Sequence, residues 1–100
     1  MVERSTLILA KLNNMLMYYI ELLCKYVESE YGETLYYQTG FNVEKGWWIR
    51  FTKRLPEEAY VWLRDYLDKL VAVLGHLGFD ARYVLSPELA YAKVEWRWKE

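Results

Sequence analysis

The chain has 100 residues, thirteen basic and fourteen acidic, with a formal net charge of -1. That length suits one domain able to bury roughly 65% of its unfolded surface without staples. The balanced charge excludes the global attraction on which most duplex-DNA binders rely, so a nucleic-acid role would need a local patch. Apolar residues make up 54% and aromatics 18%, including ten tyrosines and five tryptophans. This is more large apolar surface than a two-layer domain comfortably hides, and part of it is expected to meet a partner. The halves are balanced as well, with five basic and six acidic residues in 1–50 and eight of each in 51–100. The richness in tyrosine and tryptophan, the single glutamine Gln38 and the interspersed charges give a thermophile-like composition.

Residues 6–31 read as a long helix, with Ser5 or Thr6 as N-cap and Gly32 ending it in a left-handed turn. Leu9, Leu12, Leu16, Tyr19, Leu23 and Tyr26 follow an a/d spacing, widened on both sides by Ile8, Met15, Leu22, Ile20 and Val27. The polar stripe of Lys11, Asn14, Glu21, Lys25 and Glu28 is narrow, so part of the helix is expected to pack on another subunit. The apolar runs Leu7–Ala10 and Met15–Ile20 are broken by Lys11, Asn13-Asn14 and Glu21. Each is too short for a signal-peptide core or a membrane span, so no membrane partner is expected. The only cysteine, Cys24, has no internal partner and reads as a small buried hydrophobe in a reducing, cytoplasmic setting.

Residues 33–43 alternate, with Leu35, Tyr37, Thr39, Phe41 and Val43 opposed to Thr34, Tyr36, Gln38, Gly40 and Asn42. Glu44-Lys45-Gly46 has the form of a three-residue hairpin loop leading into a strand at 47–53. Strand parity then sends Trp47, Ile49 and Phe51 to one face and Trp48, Arg50 and Thr52 to the other. Pro56 followed by Glu57-Glu58 starts a second helix reaching about Leu77, with Ala59, Leu63, Tyr66 or Leu67, Leu70 and Leu74 inside. A second hairpin follows, 79–85 and 90–98, turned by Ser86-Pro87-Glu88. Ala90, Ala92, Val94, Trp96 and Trp98 share one face of its second strand.

The order α-β-β-α-β-β predicts a single α+β domain over 1–100, in two α-β-β halves at about 1–53 and 54–100. Their residue identity is poor, so any repeat is in pattern only. The expected architecture is a two-layer sandwich, both helices on one face of a mostly antiparallel four-stranded sheet. The opposite face is expected to carry Tyr36, Gln38, Trp48, Arg50, Thr52, Asp80, Arg82, Val84, Tyr91, Lys93, Glu95 and Arg97. Of these, Tyr36, Trp48, Arg50, Arg82, Tyr91, Lys93 and Arg97 are the candidate binding residues, flanked by the basic Lys45, Lys53 and Arg54.

Enzymatic chemistry has little support. His76 is the single histidine, and it sits where the last turn of a helix favours a cation. No phosphate-cradling glycine loop occurs, and Glu57-Glu58, Asp65 with Asp68, and Glu28 with Glu30 read as solvated helix charges. No catalytic residue, metal site or cofactor is therefore expected. Basic residues interleaved with tryptophans suit two uses. Protein interfaces, including self-association as a dimer, are enriched in tryptophan, tyrosine and arginine. Open sheet faces of this kind also stack unpaired bases of single-stranded nucleic acid. The net charge favours the protein interface.

Overall fold

The computed structural model describes residues 2–99, with side chains from Thr6 onward. The elements are α1 (Val2–Tyr31), β1 (Tyr37–Asn42), β2 (Gly46–Phe51), α2 (Glu57–His76), β3 (Phe79–Ser86) and β4 (Tyr91–Trp98). The α+β order α-β-β-α-β-β and the four-stranded antiparallel sheet are as the sequence predicts. The chain falls into two compact units, one ending at Leu35 and the other beginning at Tyr36.

In the first unit α1 starts at Val2, four residues before the predicted start, so Thr6 lies inside the helix and not at its cap. The Ser5 side chain is outside the described residues. Leu9, Leu12, Leu16, Ile20, Leu23 and Val27 recur every three or four residues and are buried. Leu7, Met15, Tyr18 and Leu22 lie on the opposite side and are exposed, Met15 at 58% and Tyr18 at 64%. Lys11, Asn14, Glu21, Lys25 and Glu28 are exposed between them. The polar breaks interrupt the apolar runs and not the helix. A window of 18 residues within Thr6–Tyr31 reaches a mean hydropathy of 1.3, so α1 is long and apolar enough to cross a membrane by length and composition, with 28% of the window buried. Gly32, at φ +67°, stops the helix, and its N–H donates to the Glu28 carbonyl at 2.9 Å.

In the second unit the strand order is β1-β2-β4-β3, which puts β2 and β4 at the centre and β1 and β3 at the edges. β1 begins at Tyr37, later than the alternation suggests. The first hairpin turns through Val43–Lys45, and Gly46 is already the first paired residue of β2, opposite Asn42. The Asn42 side chain accepts from the N–H groups of Glu44 at 2.8 Å and Lys45 at 3.0 Å, which fixes the turn. Gly46 has φ +138°, and a Cβ there would run into the Val94 carbonyl, so β2 and β4 close on each other only over a glycine.

Helix α2 packs against β3 and β4, burying Ala59, Tyr60, Leu63, Leu67, Leu70 and Leu74. Pro56, at φ -57°, precedes Glu57 and Glu58 in the first turn, where acidic groups meet the positive end of the helix dipole. The buried Tyr60 hydroxyl accepts from the Leu55 N–H at 3.0 Å and donates to the Pro87 carbonyl at 2.9 Å. One side chain thus ties the loop before α2 to the turn between β3 and β4. Across the helix, the Tyr83 hydroxyl donates to Asp68 at 2.6 Å.

The inner face of the sheet carries the buried Trp47, Ile49 and Phe51 of β2, Ala92, Val94 and Trp96 of β4, and Phe79 of β3. The Trp96 indole donates to the Val43 carbonyl at 2.8 Å, holding the first turn against β4. Two positions depart from the predicted second hairpin. Ala90 stands in the turn at φ +51°, although it is buried and its carbonyl accepts from the Phe51 N–H at 2.8 Å. Trp98 keeps its parity but is 50% exposed at the end of β4, stacked on Phe79 with ring centroids 4.2 Å apart.

Candidate binding face of the sheet

Period-two alternation and antiparallel register assemble the outer face in rows that cross all four strands. One row reads Gln38, Arg50, Tyr91, Ser86 from β1 to β3; the next reads Gly40, Trp48, Lys93, Val84. A third runs Asn42, Gly46, Glu95, Arg82, and beyond it Arg97 pairs with Asp80 on β4 and β3. Tyr36 adds a partial row at the other end, where its carbonyl accepts from the Thr52 N–H at 2.9 Å and from the Thr52 hydroxyl at 3.1 Å. All seven predicted binding residues therefore lie on one face. The three flanking cations lie at opposite ends of β2: Lys45 in the turn at one end, close to Arg82 and Arg97, and Lys53 and Arg54 beyond the other.

Trp47 and Trp48 separate as parity requires, with Trp47 2% and Trp48 39% exposed. The Trp48 indole lies over Gly40, where a Cβ would overlap Nε1 and Cε2 of the ring. Gly40 thus leaves the space that this edge of the indole occupies, and the side chain remains partly exposed. The Thr39 hydroxyl donates to the Trp48 carbonyl at 2.7 Å and steadies the same segment. Beside it, the Arg50 guanidinium sits over the Tyr91 ring, 5.4 Å from its centroid. Tyr36 is 67% exposed and Val84 also faces solvent.

Charge on this face is largely paired. Glu95 takes Lys93 on one carboxylate oxygen at 2.8 Å and Arg82 on the other at 3.0 Å, while Arg97 meets Asp80 at 3.3 Å. The Lys93 and Arg82 bonds hold the Glu95 carboxyl below its usual range, and the same carboxylate raises the Lys93 ammonium. Arg50 is the cation whose partner is an aromatic ring and not a carboxylate. Glu44, Lys45, Asp80, Arg82, Glu95, Trp96 and Arg97 line a shallow depression at the ion-paired end of the sheet.

Sequence reasoning did not anticipate the parts played by Gly40 and Glu95. Alternation put both on the outer face, but only the register shows one under Trp48 and the other between two cations. His76 ends α2 and is exposed. Among the described residues no group of three or more His, Cys, Asp or Glu is placed to hold a metal ion. Cys24 is half-buried; burial, then the nearby Glu21 carboxylate, pushes its thiol up to about 11, so it is protonated and a weak nucleophile near neutral pH. Comparison with protein-family models, curated proteins and solved structures finds no match.

Proposed function

We propose that this chain is a small, non-enzymatic interaction module that self-associates and uses the outer sheet face as a protein-docking surface. The observation that carries this reading is the partly exposed Trp48, set beside Arg50 and Tyr91 and fringed by internally paired charges. Aromatic and arginine anchors inside a ring of satisfied polar groups are the usual make-up of a protein interface. The exposed Leu7, Met15, Tyr18 and Leu22 on α1 are a second apolar surface available to a partner. Sedimentation over a micromolar concentration range tests self-association: a species above 12.1 kDa supports it, and only the 12.1 kDa monomer removes it.

Single-stranded nucleic acid is the alternative occupant of the same face. Trp48, Tyr91 and Tyr36 supply rings for base stacking, worth about 1–3 kcal/mol per base, and Arg50 supplies charge beside them. Against it, Arg82, Lys93 and Arg97 already hold carboxylates, and a phosphate would have to displace these. Tryptophan emission titrated with a mixed oligonucleotide at low salt separates the readings. Quenching that salt reverses supports nucleic acid; unchanged emission leaves the face to protein.

A further inference from the structure

We infer that the occupant of the outer face is a second copy of this chain, seated face to face about a two-fold axis parallel to the strands and lying between β2 and β4. The inference rests on the protein-docking reading above and adds the partner and its geometry. Its basis is a complementarity built into the rows. On the two central strands Trp48 lies beside Lys93 and Arg50 beside Tyr91, so aromatic and cation alternate along both rows and both strands of a two-by-two block. A two-fold along the strands between β2 and β4 lays each residue of β2 over its row partner on β4 of the other copy. Each tryptophan position then faces a lysine position across the interface and each arginine position a tyrosine position, so aromatic and cation are opposed at four places of one self-complementary patch.

The outer strands match in the same operation, which lays β3 over β1. Val84, exposed on one copy, comes down over the Gly40 position, which the partly exposed Trp48 ring occupies. An isoleucine or lysine in place of Gly40 would fill that space and tilt the indole out. Ser86 comes over Gln38, and Arg82 over Asn42, so no like charges are opposed. Aligned sheets pack about 10 Å apart with a twist of roughly 30°, small enough across two strands and two rows to keep these matches. The face is about 19 Å wide and about 23 Å long by standard strand spacings, about 440 Å² per copy and below the usual size of a stable interface, so a weak dimer, no tighter than the micromolar range, is expected.

Crosslinking between copies tests the geometry. Gln38→Cys and Ser86→Cys are made on separate chains, each in a Cys24→Ala background. In the inferred dimer residue 38 of one copy faces residue 86 of the other across roughly 10 Å, whereas each is about 17 Å from its own equivalent. A bismaleimide of about 10 Å span should join the two variants when they are mixed and join neither to itself. Trp48→Ala, at an exposed position, should weaken the dimer about a hundredfold, since the two-fold counts each lost contact twice, while leaving the circular dichroism unchanged. Added salt should not dissociate the dimer. The face carries four cations, Arg50, Arg82, Lys93 and Arg97, against two acids, Asp80 and Glu95, so salt screens a repulsion between copies. A dimer in sedimentation that crosslinks within one variant, or not in the mixture, overturns this arrangement and leaves self-association standing. A monomer at all concentrations overturns both.

Discussion

Replacing Gly46 by alanine should destabilise the protein far more than the same change at Gly78, although both glycines have positive φ. At Gly78, φ +97°, the added Cβ comes within 3.3 Å of the Trp98 ring, and Trp98 is half-exposed and able to give way. The cost there is the backbone strain of an L-residue, about 1–2 kcal/mol. At Gly46, φ +138°, the Cβ meets the Val94 carbonyl, which is backbone held in the β2–β4 ladder. Relief requires the strands to part at that end, straining the 3.3 Å bond from the Trp96 N–H to the Lys45 carbonyl and the indole bond from Trp96 to Val43. Two bonds at about 1 kcal/mol each, added to the strain, bring the loss to about 3–4 kcal/mol. That is a large part of the 5–15 kcal/mol typical of a whole domain. Urea unfolding monitored by far-ultraviolet circular dichroism measures it, the midpoint falling by roughly 2 M for Gly46→Ala and less than half as much for Gly78→Ala. Equal midpoints in the two variants would refute the steric argument and leave φ alone as the cause.

Tyr60→Phe removes a buried hydroxyl that serves two backbone groups, and a loss of about 1–3 kcal/mol in urea midpoints is expected, with the Leu55–Pro87 connection loosened first in amide exchange. Glu95 is held below its usual carboxyl value of 4.5, so its stabilising contribution is full above that value and is lost as pH falls through the lower, folded-state value. Glu95→Gln should therefore be less stable than the parent at pH 7 and converge with it in acid, as paired unfolding curves would read. The Cys24 thiol, raised from 9.0 to about 11, should alkylate about a hundredfold more slowly at pH 7 than a solvated thiol; a rate equal to that of free cysteine would contradict its burial.

The parity of the strands was legible because side chains alternate with a period of two whatever the partner strand is. That alone separated Trp47 from Trp48 and put Tyr36, Arg50, Arg82, Tyr91, Lys93 and Arg97 together on one face. What no local pattern carries is the order β1-β2-β4-β3, a pairing of strands some 45 residues apart in sequence. Only this order sets Lys93 beside Trp48 and Tyr91 beside Arg50. The ion pairs of Glu95 and the space at Gly40 follow from register in the same way. In the sequence, Gly40 is one more alternating position and Glu95 one more surface acid. Trp98 shows the converse limit: parity assigns its face correctly, but a strand end leaves too little structure beyond it to bury the ring.

Trp47 and Trp96 give a last comparison, because both are buried on the inner face of neighbouring central strands and differ in what their indole nitrogens meet. Trp96 donates to the Val43 carbonyl at 2.8 Å, whereas the buried Trp47 Nε1 has no acceptor among the described residues. Phenylalanine at either site removes similar volume, so the packing losses are comparable and largely cancel between the two variants. The polar terms do not cancel. Trp96→Phe breaks a bond and leaves the Val43 carbonyl short of its donor, while Trp47→Phe removes a donor that served no protein group. Trp96→Phe should therefore be the more damaging by about 1–3 kcal/mol in urea unfolding, and its loss should loosen the turn at Val43–Lys45. If Trp47→Phe proves equally costly, the Trp47 nitrogen is satisfied in solution, and the polar term assigned to Trp96 is too large.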